Sequence, residues 1–220
     1  GIRDSFVSRG LGDVYKRQYQ YYNLNNYYTG LFPFGDGSSN NLSYTVALSR
    51  NNTFTNPIFP LGGSEFVLSA RFSLPYSLWN GVDYANLGDL EKFQDNDGNP
   101  DPAKIEQEKF KWLEFYKIKF KGSWYTRLFD KLVLRTHTEF GFLGAFNNDR
   151  GVIPFDRFFL GGDGMSQYAM DGRETISLRG YPNQSLSSQD GSTIYNRFSL
   201  ELRYPITLKP AASIFGLTFM

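Results

Sequence analysis

Long stretches of this chain alternate strictly between apolar and polar side chains. In residues 194–206, for example, Phe198 and Leu200 alternate with Ser199 and Glu201. Because residues two apart lie on the same face of a β-strand, each stretch predicts a strand with one apolar and one polar face. The same pattern recurs in residues 42–50, 65–74, 109–121 and 132–142, and residues 211–220 begin a further strand. The sequence therefore predicts an all-β chain of antiparallel strands.

The length of these strands favours a membrane β-barrel over a soluble β-sandwich, which shows the same alternation. Soluble strands average about 5–6 residues, whereas strands that cross a membrane need about 9–11. We expect most of the 15 Tyr, 21 Phe and 3 Trp on a lipid-facing surface and the charged residues in a wet interior. Aromatic residues near the predicted strand ends fit the interfacial girdles of a barrel, namely Tyr76, Trp79, Trp124, Tyr125 and Tyr204.

The composition argues against most kinds of enzyme. The chain has no cysteine, which excludes thiolate metal sites and cysteine catalysis. Its one histidine, His137, lies on the polar face of a predicted strand, where a hydrogen-bonding wall residue is the favoured interpretation over a ligand or base. Lys+Arg 23 against Asp+Glu 22 gives no basic surface for nucleic acid. We expect no enzymatic activity, no cofactor and no nucleic-acid partner.

One acidic segment matches the spacing of a calcium-binding loop. Carboxylate and amide side chains occupy positions 1, 3, 5, 7 and 12 of that spacing, at Asp95, Asp97, Asn99, Asp101 and Glu106. Pro100, however, stands where the loop needs glycine, and no flanking helices are predicted. A solvated acidic outer loop is the favoured interpretation, and we predict no metal site.

The predicted domain plan separates residues 1–18 from the rest of the chain. Residues 1–18 show no alternation, no initiating methionine and no signal peptide, and they resemble a translated sequencing adapter. We expect them to be non-native and assign residues 19–220 to a partial barrel.

The connections of this barrel alternate between short and long, as in barrels with tight periplasmic turns and extended outer loops. Residues 76–108 and 161–192 are the long ones.

Three motifs follow one another between residues 155 and 206. They are Phe158-Phe159-Leu160-Gly161-Gly162, Leu178-Arg179-Gly180-Tyr181-Pro182-Asn183 and Ser199-Leu200-Glu201-Leu202-Arg203-Tyr204-Pro205-Ile206. In this order they resemble the outer-membrane-protein assembly factor (BamA) family of the bacterial surface-antigen superfamily. The segment from Asn56 to Ser64 and the strand pair from Thr126 to Gly141 are similar to the same family. The resemblance covers about residues 40–220. It implies an incomplete outer-membrane barrel, with about seven or eight strands of a larger one.

The resemblance also implies the positions of the functional residues. It places the 161–192 loop inside the barrel lumen and docks Arg179, in the motif Leu178-Arg179-Gly180-Tyr181, on an acidic residue of the wall, which is Glu201 here. Glu201 independently lies on the polar face of its strand, and a carboxylate can bind a guanidinium in a two-pronged contact. The alternative is that Arg179 and Glu201 only solvate the loop and the wall. Gly161 and Gly162 are interpreted as a flexible hinge where the strand ends.

The function that the resemblance implies is assembly and insertion of β-barrel proteins into the outer membrane of a Gram-negative bacterium. The partners would be membrane lipid, unfolded outer-membrane proteins and accessory assembly lipoproteins. A related translocation factor or two-partner secretion pore is one alternative. The other is a diffusion porin, in which Arg179 and the lysines of residues 109–121 set a preference for anions.

Overall fold

The computed structural model describes residues 10–26, 35–53, 59–162, 174–188, 190–209 and 212–220. Seven long strands form one antiparallel sheet in the order β1-β2-β3-β4-β5-β8-β9. Their bounds are β1 Gly10–Leu24, β2 Gly37–Asn51, β3 Gly63–Ser73, β4 Tyr116–Phe129, β5 Leu132–Gly144, β8 Ile194–Lys209 and β9 Ala212–Phe219. Among the described residues the sheet does not close, since β1 and β9 each pair along one edge. The predicted incomplete antiparallel barrel is confirmed.

One face of the sheet is apolar and exposed, as the alternation predicts. Phe120 stacks on Phe66 of β3 and on Phe140 of β5, with ring centroids 6.2 and 5.4 Å apart. Phe198 of β8 continues this surface and is 70% exposed. A surface of this kind is stable against hydrocarbon, so we assign it to lipid. Tyr125 is an exception to the predicted girdle, because it faces the other side of the sheet and is buried.

Residues 109–115 are not part of a strand, contrary to the prediction for 109–121. A helix, α1, spans Pro102–Phe110 instead, and β4 starts at Tyr116. Asp101 starts the helix, because its side chain accepts the backbone N–H of Ala103 at 3.0 Å and proline is favoured in the first turn. No helix in the described part of the chain is long and apolar enough to cross a membrane.

The connections define two different ends of the sheet. The links between β3 and β4 and between β5 and β8 lie at one end, called here the long-loop end. The opposite short-turn end carries the tight turn at residues 130–131 and the turn between β8 and β9. The two short strands β6, Phe158–Leu160, and β7, Glu174–Ile176, form a parallel pair within the β5–β8 connection.

The inner face of the sheet is apolar near the long-loop end, which corrects the expectation of a wet interior. Phe115, Leu143, Phe158 and Tyr195 pack in one buried cluster there with residues of the β5–β8 connection. Phe115 and Phe158 are completely buried. The alternation could not reveal this cluster, because many of its members lie in irregular segments. Several aromatic side chains therefore fill the interior and do not face lipid.

Residues 10–18 form the first part of β1 and pair with β2 along their length. In the register of this pair, Asp13 lies opposite Leu48 and Arg17 opposite Tyr44, so both charged side chains are on the lipid-facing side. An arginine at the bilayer midplane costs a barrel about 2–4 kcal/mol. These charges differ from the apolar outer face of the other strands. The non-native origin of residues 1–18 stays a prediction, and residues 1–9 lie outside the described part of the chain.

Candidate functional site

Charged residues cover the middle of the inner face, where β4, β5 and β8 lie side by side. The strand register brings them together, because residues paired across antiparallel strands have their side chains on the same face. Thus Lys121 lies opposite Glu139, and Arg135 lies opposite Glu201. The charged residues of this inner wall are Lys117, Lys119, Lys121, Arg135, Glu139, Arg197, Glu201 and Arg203.

Glu174, at the start of β7, holds the β5–β8 connection against this wall. Its carboxylate lies 2.6 Å from the Lys117 ammonium and 2.8 Å from that of Lys119. The Lys117 side chain is only 4% exposed. Burial opposes ionisation of Glu174, but the two ammonium groups more than offset it and hold the pKa of the carboxyl below its ordinary value. The ion pairs therefore persist at neutral pH.

Asp156 binds the same wall from an earlier point of the same connection. The Arg71 guanidinium of β3 donates to both Asp156 carboxylate oxygens, at 3.1 and 3.2 Å. Lys117 donates to the Asp156 backbone carbonyl at 2.7 Å. We call Arg71, Lys117, Lys119, Asp156 and Glu174 the loop clamp. It fixes the connection on the inner face through two carboxylates and three cations.

The predicted motif residues form a turn that packs on the glycine pair. The Leu178 N–H donates to the Gly162 carbonyl, and the Gly162 N–H donates to the Tyr181 carbonyl, both at 2.9 Å. Gly180 adopts a left-handed conformation, with φ of 89°, in the middle of this turn. Residues 163–173 and 189 of the predicted 161–192 loop lie outside the described part of the chain.

Arg179 contacts an aromatic ring on the inner face, beside Glu201. The guanidinium carbon lies 4.8 Å from the centre of the Phe219 ring, within the range of a cation–π contact. Phe219 lies directly opposite Glu201 in the β8–β9 register. The Glu201 carboxylate itself contacts Arg135 at 2.7 Å and lies 3.9 Å from the Arg203 side chain. Direct pairing of Arg179 with Glu201 stays a prediction.

Arg203 joins the wall to the connection between β2 and β3. Its guanidinium carbon is 4.7 Å from the centre of the Phe59 ring and 5.5 Å from that of Phe215. Phe59 is completely buried, so the chain entering β3 is anchored on the inner face. Residues 54–58, which include the first three residues of the segment from Asn56 to Ser64, lie outside the described residues.

His137 is a buried wall residue, which agrees with the favoured interpretation of its position. Its Nδ1 lies 2.8 Å from the Ser123 hydroxyl and its Nε2 lies 2.9 Å from the Glu139 carboxylate. Serine, histidine and glutamate in a hydrogen-bonded row also occur in hydrolases. Here Ser123 is 2% exposed and its hydroxyl also accepts from Arg135, so no substrate can reach it. The row serves to satisfy polar groups in the wall.

Gly161 and Gly162 are required for close packing, a role that the hinge interpretation did not include. Their φ angles are 110° and 109°, which side chains rarely allow. A Cβ on Gly162 would overlap the Asn183 amide oxygen, and one on Gly161 would overlap the Pro182 carbonyl oxygen. The motif turn can lie against β6 because neither residue has a side chain. Their role as a hinge stays a prediction.

We expect Gly162→Ala to detach the motif turn, because the new methyl group collides with Asn183 and strains the backbone. Such strain costs about 1–3 kcal/mol. Hydrogen exchange should become faster in residues 174–188. The matched control is Gly151→Ala, since Gly151 has φ of 77° and open space where the new methyl group would lie. Exchange in residues 174–188 that is no faster in Gly162→Ala than in Gly151→Ala would contradict this role of Gly162.

The acidic segment at residues 95–101 uses its carboxylates to shape the backbone. Asp95 accepts the backbone N–H groups of Asp97 and Asn99, each at 2.9 Å, and Asp101 starts α1. Pro100 precedes this helix. Among the described residues, no group of three or more His, Asp or Glu side chains is arranged to hold a metal ion.

Sequence reasoning missed the acidic half of the loop clamp. Glu174 and Asp156 lie in an irregular connection, where no periodicity marks them. One signal was present: the polar face of β4 carries Lys117, Lys119 and Lys121, but only the last has a carboxylate opposite it on β5. Buried ammonium groups need partners, so unmatched lysines indicate carboxylates supplied from outside the wall.

Comparisons with known proteins agree with this architecture. The family model described as the Omp85 superfamily domain matches residues 12–219. Among solved structures, the chain is similar to BamA from Haemophilus ducreyi lacking POTRA domains 1–3, with a TM-score of 0.50 and 20% identity. That match covers 91% of this chain and 35% of the other, so the chain spans about one third of that structure. No curated protein matches the chain. The chain belongs to the Omp85 superfamily.

Proposed function

We propose that this domain takes part in the assembly and insertion of β-barrel proteins into the outer membrane of a Gram-negative bacterium. The observation that carries the proposal is the fixed position of residues 174–188, which the loop clamp and Arg179 hold against the inner wall. Membership of the Omp85 superfamily and the likeness to BamA support it. The partners are lipid, unfolded outer-membrane proteins and accessory assembly lipoproteins.

The physical basis of the proposal is the cost of an unpaired strand in hydrocarbon. Each unsatisfied backbone polar group there costs several kcal/mol, so a client barrel cannot insert strand by strand without a partner. A sheet edge that opens at a seam supplies that partner through backbone hydrogen bonds. A loop fixed across the lumen keeps the wall in shape while the seam exchanges partners. None of these steps makes or breaks a covalent bond.

A porin is less well supported, because the lysines of the wall are not free to attract anions. Lys117 and Lys119 contact Glu174, and Lys121 lies 3.0 Å from Glu139. Lys109 and Lys111 precede β4, so both lie off the wall. A related translocation or two-partner secretion pore would use the same sheet and loop. A large, steadily open conductance in planar bilayers would favour the porin.

We expect Arg179→Ala to reduce assembly activity, because it removes the contact between the motif turn and Phe219. A cation–π contact is worth about 0.5–2 kcal/mol, so the docked population of the loop should fall about 2- to 30-fold relative to the undocked one. The measurement is the amount of folded outer-membrane barrels, seen as heat-modifiable bands, in cells that depend on the variant. Arg127→Ala, at an exposed arginine of β4, is the control.

A second variant in this experiment removes the Glu201 carboxylate. Glu201→Ala should also lower assembly, because it leaves Arg135 without its carboxylate. Wild-type activity in both Arg179→Ala and Glu201→Ala would contradict the docking role of the loop. Recovery of activity in a chain carrying Arg179→Glu and Glu201→Arg would indicate direct pairing. A defect in Phe219→Leu equal to that of Arg179→Ala would instead assign the contact to the ring.

A further inference from the structure

A cavity of about 380 Å³ opens at the long-loop end, and residues of the connections and of α1 line it. It lies between the 3-10 turn Tyr76–Leu78, the end of α1 and the first part of the β5–β8 connection. The 3-10 turn and α1 both belong to the link between β3 and β4. The cavity is separate from the loop clamp and from the motif turn, and the proposed assembly function does not use it.

The floor of this cavity is rigid because a buried ion pair holds it. The Arg150 guanidinium lies 2.7 Å from the Glu114 carboxylate, and the two side chains are 4% and 1% exposed. Glu114 also accepts the backbone N–H and the hydroxyl of Ser77, both at 2.7 Å. Arg150 donates in addition to the backbone carbonyls of Lys109 and Trp112. The walls of the cavity are therefore preformed, so ordering them on ligand binding costs little free energy.

The lining carries no net charge. Glu114 compensates Arg150, and the remaining charged side chains of the lining, Glu108 and Lys111, are of opposite sign. The Arg150 guanidinium also covers the Tyr84 ring, with 4.8 Å between its carbon and the ring centre, so that ring is not available to a ligand cation. The electrostatics favour neither an anion nor a cation.

The remaining surface combines aromatic rings with one unused polar atom. The Tyr76 and Trp112 rings lie 5.2 Å apart at 50°, and Trp112 and Trp79 are 40% and 66% exposed. The Tyr76 hydroxyl is buried and has no hydrogen-bond partner among the described residues. A sugar ring offers an apolar C–H face for aromatic packing and hydroxyl groups for such an atom. From this combination we propose that the cavity binds a neutral saccharide.

The proposal is tested by calorimetric titration of the purified full-length protein in detergent with maltose, cellobiose and N,N′-diacetylchitobiose. At least one disaccharide should bind saturably. Trp112→Ala should weaken that binding at least tenfold, because it removes the exposed ring, and Tyr76→Phe should weaken it several-fold by removing one oxygen atom. The control is Trp124→Phe, since Trp124 lies on the lipid-facing side of β4 and binding should be unchanged.

Two results would overturn the proposal. One is the absence of saturable binding for all three disaccharides. The other is undiminished binding in Tyr76→Phe, a variant that keeps the ring and is expected to fold, together with undiminished binding in Trp112→Ala if that variant folds. Assembly activity of Tyr76→Phe should equal that of the wild type, so failure here is distinguishable from failure of the proposed assembly function.

Discussion

Glu174→Lys is expected to release residues 174–188 from the inner wall and to abolish assembly activity. The substitution places a third ammonium group against Lys117 and Lys119, where a carboxylate now lies 2.6 and 2.8 Å from theirs. Because Lys117 is almost completely buried, its charge loses a partner that water cannot replace. Removing one partner of a buried ion pair costs about 3–5 kcal/mol. Glu174→Gln keeps the shape and should cost about 1.5–3 kcal/mol.

Hydrogen exchange of residues 174–188 measures the release directly, and the yield of folded client barrels measures its consequence. Glu91→Lys is the matched control, because it makes the same change of charge at an exposed residue of the β3–β4 connection. The combination Glu174→Lys with Lys119→Glu restores one ion pair and should recover part of the protection. Unchanged exchange in Glu174→Lys would contradict the role of the loop clamp.

The same contact has a predictable pH dependence. The pKa of Glu174 is lower in the folded protein than its ordinary value of about 4.3, so the contact contributes stability above that value. This contribution is lost as the pH falls through the lower folded pKa. Protection of residues 174–188 should therefore be constant near neutral pH and decrease in acid. Glu174→Gln has no carboxyl at this position, so it should lose the part of the acid transition that Glu174 contributes.

The strands of the wall could be predicted because contact with lipid requires an apolar side chain at every second residue. Residues 197–204 alternate without a break and lie within β8, Ile194–Lys209. In residues 109–115 the alternation does not correspond to a strand. Phe110 and Trp112 continue it by chance, while the chain is helical and then irregular. Leu113 and Phe115, which are out of phase with this alternation, pack in the inner cluster.

The partner of Glu201 could not be predicted, because it depends on the register of β5 against β8. That register pairs Arg135 with Glu201 directly. A tight turn would fix a register from the sequence, but residues 145–193 separate these two strands. The resemblance names Arg179 for this role, and Arg179 contacts Phe219, the cross-strand neighbour of Glu201. Its direct pairing with Glu201 stays a prediction.

Arg150→Met is expected to destabilise the long-loop end by about 3–5 kcal/mol, because it leaves the Glu114 carboxylate buried without its cation. Glu114 is 1% exposed and joins three segments, through Arg150 and the two groups of Ser77. Without the Arg150 charge beside it, the Glu114 carboxylate should no longer hold residues 109–115 and 150–158 together, and both segments should loosen. Since Asp156 lies in the second of these segments, the loop clamp should weaken as well. Hydrogen exchange across both segments measures the change.

A double substitution separates the burial of charge from the loss of packing. Arg150→Met together with Glu114→Leu removes both charges, so it should be more stable than Arg150→Met alone even though it lacks the ion pair. Lys104→Met is the control for an exposed pair, because Lys104 and Asp101 lie 3.5 Å apart with 49% and 26% exposure, and its cost should be at most about 1 kcal/mol. If the double variant were no more stable than the single one, unpaired charge would not be the cause of the destabilisation, and lost side-chain packing would be the better explanation.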